Sequence, residues 1–189
     1  ANGGTMRVRS LGVDTGGHFT GEAYEFCRLR ARDGVVALKG ANNRSAQIIS
    51  RGNQVDVNFR GKTLRNGVTL YMVGTDGLKR TIYSRLKNPA PAGPGVIHWG
   101  QNATHEYLQG LTCETLMPRY VKGFQVLEWT KPSGSRNEPL DLNVYALALL
   151  ELVRRRYARP VFWDQLEAAL NAPAAPPAAT MQRRSSGWL

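Results

Sequence analysis

Three aspartates stand where hard-cation chemistry would need them. Asp14 follows the apolar run that ends at Val13 and precedes Gly16-Gly17, Asp76 follows Val68 to Val73 across Gly74, and Asp141 opens an apolar helical stripe. Neighbouring strands of a sheet lie ~4.8 Å apart, so acids at adjacent strand ends, joined by one from a crossing helix, are expected to converge in a single pocket. Carboxylates crowded together raise one another's pKa unless a cation compensates. Oxygen donors without imidazole or thiolate company favour Mg2+ or Mn2+ over zinc. Two such ions ~4 Å apart can activate water and hold the leaving oxygen for in-line attack on a phosphodiester. Taken singly, each aspartate also fits a turn residue or a helix cap, and Asp141 fits its own helix N-terminus through the macrodipole. Glu138, three residues before Asp141, is a candidate further acid or a partner for Arg136.

The charge balance supplies a substrate class. Among 189 residues there are 25 Lys+Arg against 14 Asp+Glu, a formal net charge of +11. A field of that sign attracts polyanions, nucleic acid above all, with solubility as the competing explanation. The 42% hydrophobic and 21% charged content is that of a globular chain and excludes general disorder. Two cysteines, Cys27 and Cys113, exclude a disulfide-dense scaffold and a four-cysteine zinc module, and each reads as a small buried apolar side chain. His18, His98 and His105 have no His-Glu-x-x-His spacing, and no Gly-x-x-x-x-Gly-Lys-Ser/Thr loop is present to house ATP hydrolysis. No apolar run nears the ~18 residues of a membrane span and no leader opens the chain, so a soluble, intracellular protein without a membrane partner is expected. The start at Ala1, without an initiator Met, is expected of an excised domain or a processed chain.

The elements that must hold these residues follow from periodicity. Met6 to Val13 predicts a strand, and Thr20 is expected to cap a helix carrying Phe19, Ala23 and Cys27 on one face, in preference to a strand over 22–29. Val35 to Lys39 predicts a strand, Ala41 to Gly52 a loop, and Val55, Val57 and Phe59 a half-buried strand. Gly61-Lys62 and Asn66-Gly67 read as turns around a short connecting strand, before a central strand over Val68 to Val73. A helix over 76–87 stops at the prolines of Asn88 to Gly95, and Val96 to Trp99 reads as a brief strand. His105 to Cys113 predicts a helix, Tyr120 to Thr130 a hairpin broken at Lys122-Gly123, and Leu140 to Arg156 a helix with Leu140, Val144, Leu147, Ala148 and Leu152 in one stripe. Tyr83, Trp99 and Trp129 are expected in the core. The Ala/Pro-rich tail, residues 171–189, is expected to be disordered, leaving 6–170 as one domain.

Val13-Asp14-Thr15-Gly16-Gly17-His18, then Val73-Gly74-Thr75-Asp76-x-x-Lys79 with Ile82-Tyr83-x-Arg85-Leu86, then Arg136-Asn137-Glu138-Pro139-Leu140-Asp141 with Val144-Tyr145-Ala146, resemble the nuclease domain of lambda-type large terminase subunits of tailed phages. The motifs keep that family's order and cover residues 6–155. The resemblance implies an α/β, ribonuclease H-like fold with a central mixed β-sheet flanked by helices. It implies a metal-dependent endonuclease that cuts concatemeric viral DNA during genome packaging, with Asp14, Asp76 and Asp141 as metal ligands for two Mg2+ or Mn2+ ions. It also implies the terminase ATPase domain, the small terminase subunit and the phage portal or procapsid as partners, and the host cell cytoplasm as location.

Lys79, Lys122, Lys131 and Arg136, placed near those carboxylates, are the candidate contacts to double-stranded DNA. Little base preference is expected, since nothing resembles a base-reading helix. The competing readings are a Holliday-junction resolvase-like nuclease and a non-catalytic basic DNA-binding module in which the aspartates are caps.

Overall fold

A computed structural model of the chain describes residues 8–157 and 161–171. The tail beyond residue 171 and the first two residues of the strand expected from Met6 lie outside that range. Residues 8–156 form one unit. Its strands are β1 (Leu11–Asp14), β2 (Val35–Gly40), β3 (Asn53–Phe59), β4 (Lys62–Val73), β5 (Thr115–Val121) and β6 (Phe124–Thr130). Its α-helices are α1 (Thr20–Leu29), α2 (Thr75–Leu86), α3 (His105–Thr112) and α4 (Glu138–Arg154). Outside that unit, α5 spans Phe162–Asn171, and the Phe162 ring packs on Tyr157 and Trp163.

β1 to β4 form one mixed sheet in the order β1-β2-β4-β3, with β1, β2 and β4 parallel and β3 antiparallel to β4. Alternation along the strands divides the core between its two faces. Val35, Ala37, Val68 and Leu70 pack with Cys27 of α1 on one face, while Leu38 and Val73 on the other meet Leu78 and Ile82 of α2, Leu111 of α3, and Leu140, Val144 and Ala148 of α4. The sheet therefore lies between helices. Its parallel strands deliver Asp14, Gly40 and Val73 to one end, the end at which open α/β sheets place their ligands.

Several local expectations need correction. Thr20 does not cap α1: Phe19 holds the cap position, and the Thr20 hydroxyl donates to the carbonyls of Thr15 and Gly17. Asn66-Gly67 is not a turn. It lies inside the twelve-residue β4, where Asn66 has φ of 50° and its N–H donates to Asp56 Oδ1 at 2.8 Å. The register there shifts between Val55 and Val57, so a left-handed Asn makes a bulge and the strand resumes. Val96 to Trp99 forms no strand; Ile97 to Trp99 line a cavity of about 570 Å3 together with Tyr107 and Asn143. Trp99 is 40% exposed and not a core residue, and Cys113 is only partly buried, its thiol hydrogen-bonded to the Gly110 carbonyl.

Gly74 fixes how the chain leaves β4 for α2. A Cβ there would sit 2.5 Å from the Gln47 carbonyl oxygen and 2.6 Å from that of Ala46, both backbone atoms of the loop crossing the strand end. Gly74→Ala is expected to cost about 2 kcal/mol, since neither atom can move without the loop. Urea denaturation checks it, and an unchanged midpoint would contradict that packing.

Candidate active site

Asp14 is the last residue of β1, and its Oδ1 accepts the Gly16 N–H at 2.9 Å, an Asx turn that explains the glycine beside it. Asp141 lies in the first turn of α4, one turn before Tyr145. The charges of Asp14 and Asp141 both act on the Tyr145 phenol, and that of Asp14 acts on Asp141, so two acids far apart in sequence lie near one hydroxyl. Burial, with the charges of Asp14 and then Asp141, holds that phenol well above its ordinary pKa. Gly40 closes the floor: a Cβ there would lie 3.2 Å from Thr75 Cγ2 and 3.8 Å from the Tyr145 hydroxyl.

Behind Asp141 stands a buried ionic cluster. Lys79 of α2 reaches both carboxylate oxygens of Glu114 at 2.8 Å and Asp141 Oδ1 at 3.3 Å. The Glu114 side chain is 5% exposed and that of Lys79 12%. The Asn137 amide donates to Glu114 Oε1 at 2.7 Å and to Asp141 Oδ2 at 2.9 Å, while its oxygen accepts from Lys131 Nζ at 2.8 Å. The Tyr83 hydroxyl donates to the Glu114 carbonyl at 2.6 Å. Burial pushes the Asp141 carboxyl above its usual range, Lys79 pulls it back, and Glu114 and Asp14 push it up again.

Asp76 keeps other company. Its Oδ2 accepts from Arg80 at 2.8 Å and its Oδ1 from the Trp129 indole at 3.0 Å. The expectation placed it on a strand adjacent to that of Asp14, but β2 lies between β1 and β4, which sets their ends roughly 10 Å apart. Among the described residues, no three of His, Cys, Asp and Glu are grouped as a metal would need. Glu138 faces Arg136 at 3.5 Å, and that guanidinium helps hold its carboxyl below the usual range after its own backbone hydrogen bond. Lys122 lies at the β5–β6 tip, while Lys131 and Arg136 are exposed beside the entry to α4.

The residue that sequence reasoning passed over is Glu114. The signal was present: it is the one charge between His105-Glu106 and Arg119, set among Leu111, Leu116 and Met117, where an unpartnered acid is rare.

Comparison with known proteins supports the family resemblance. The family model described as terminase large subunit gpA, endonuclease domain, matches residues 1–163. The chain is 32% identical over 163 residues to the terminase large subunit of Escherichia phage lambda, covering 82% of this chain and 24% of that protein. It is 27% identical over 164 residues to the terminase large subunit of Enterobacteria phage P21, covering 83% and 24%. The chain thus spans about a quarter of the length of these relatives. No solved structure matches it. With a family model matched across most of its length and motifs placed at the sheet end that gathers Asp14, Asp141 and Lys79, the chain belongs to the terminase large subunit gpA endonuclease domain family.

Proposed function

We propose that this chain is a divalent-metal-dependent DNA endonuclease that cuts concatemeric viral DNA during genome packaging. The observation that carries the reading is the meeting of Asp14 and Asp141 at Tyr145, backed by Lys79 and Asn137. The buried Lys79 ammonium is shared between two carboxylates, Glu114 and Asp141, a local negative excess in a chain of net charge +11. That imbalance and the hard oxygen donors fit Mg2+ or Mn2+, which take one or two carboxylates and complete their shell with water and substrate phosphate. When bound, the metal supplies Lewis acidity and a water of lowered pKa.

The chain's own residues do the rest. Asp14 and Asp141 would hold the ion, with Tyr145 beside them, while Asn137 and Lys79 each contact one Asp141 oxygen and orient it. A second ion calls for Asp76 as donor, at the expense of its bonds to Arg80 and Trp129. Lys122, Lys131 and Arg136 would meet backbone phosphates, whereas Lys79, nearly buried between Glu114 and Asp141, serves to orient Asp141. Acids at a parallel strand end and on a flanking helix support a ribonuclease H-like fold. Membership of a terminase large subunit family extends the proposal to an ATPase domain, a small terminase subunit and a portal or procapsid as partners, and to the host cell cytoplasm as the place of action.

The test is nicking of supercoiled plasmid across pH with Mg2+, Mn2+ or chelator. Nicking is expected only with metal. It should fall on acidification, because protonation of Asp14 or Asp141 removes a donor that the ion needs. Salt-sensitive binding without nicking, or nicking that survives chelation, would overturn the reading.

A further inference from the structure

The β5–β6 hairpin exposes more apolar surface than its packing explains. Tyr120 is 73% and Phe124 75% exposed, and Met117, Val121 and Leu127 are open as well. The ribbon is anchored at one end, where Trp129, paired with Leu116, stacks on Tyr83 at 5.0 Å and donates to Asp76. From there the ladder runs out to the Val121–Phe124 pair, a reach of roughly 17 Å. At the tip, Lys122 and Gly123 have φ of 50° and 81°, the two left-handed residues of a tight two-residue hairpin turn. A lysine there sits in a region that non-glycine residues rarely enter, and it holds an exposed cation at the far end of a stiff ribbon.

Charge names the occupant. The hairpin carries Arg119 and Lys122 against a single acid, Glu128, which Arg119 neutralises at 2.8 Å, so its one uncompensated charge is the exposed cation Lys122 at the tip. Tyr120 faces Gln125 and Phe124 faces Val121 in consecutive pairs, so the two aromatics project from opposite faces. A two-stranded ribbon fits the ~12 Å major groove of B-DNA. We propose that this hairpin is a DNA-engaging ribbon. It enters a groove of the duplex presented to Asp14 and Asp141, with Lys122 on a phosphate and Tyr120 and Phe124 against opposite groove walls.

This inference rests on the nuclease reading for its substrate but is tested apart from it, by duplex affinity in chelator. The Tyr120→Ala/Phe124→Ala chain is expected to bind about tenfold more weakly with an unchanged salt slope, because stacking and apolar contacts release no counterions. Lys122→Gln should lower the slope of log affinity against log salt by about one. Circular dichroism and an unchanged melting midpoint verify the fold, since both aromatics lie on the surface. Parental affinity in the double variant would overturn the proposal and leave the hairpin to a protein partner. A hairpin defect in a chain that never nicks would instead retain the ribbon and sink the nuclease.

Discussion

Asp141→Asn is expected to lower metal-dependent plasmid nicking by roughly 10^3-fold, about 4 kcal/mol of barrier, while the melting midpoint stays level or rises. The amide keeps the carboxylate's shape but loses the charge that an ion would use. The stability half follows from the sign of the pKa shift. Burial raises the folded-state pKa of Asp141 above that of the unfolded chain, so its stabilising share is present at low pH and is lost as pH rises through the folded value. At neutral pH the ionised group opposes folding, and Lys79 keeps Glu114 as partner after the change. Asp14→Asn is expected to cut activity equally, since its oxygen can still accept the Gly16 N–H. Both variants nicking at the parental rate in Mn2+ would remove the site.

Much of this arrangement is legible in local patterns. Val35 to Leu38 announces a strand buried on both faces, and the stripe Leu140, Val144 and Ala148 announces the helix that covers it. Asp14 and Asp141 are visible because each stands where an apolar element begins or ends. What local patterns do not carry is strand order. Nothing in residues 11–73 says that β2 inserts between β1 and β4, and that insertion separates the ends of the two strands from which Asp14 and Asp76 follow. The Trp129 indole that claims Asp76 comes from a hairpin fifty-three residues on, a contact set by tertiary packing alone. Asn66-Gly67 misleads for a related reason: a turn and a bulge both need a left-handed residue, and only the Asp56 carboxylate across the ladder distinguishes them.

Glu114 is where stability and chemistry separate. Glu114→Ala removes the bidentate partner of a nearly buried Lys79 and one of the two acceptors of the Asn137 amide, and is expected to cost about 3 kcal/mol by urea denaturation. Nicking should fall as well, because Asp141 is aimed by the two groups that Glu114 anchors. A purely structural role would give the same single-variant result, so the deciding chain is Lys79→Met/Glu114→Leu. Replacing both charges with apolar groups of similar size leaves no orphaned ion, and most of the lost stability should return. If Glu114 positions the reaction, nicking in this double variant stays low although the fold is restored, because Asp141 has lost its orienting ammonium. Recovery of nicking together with stability would show that the cluster only fills the core, and the orientation of Asp141 would then have to come from Asn137 and Tyr145 alone.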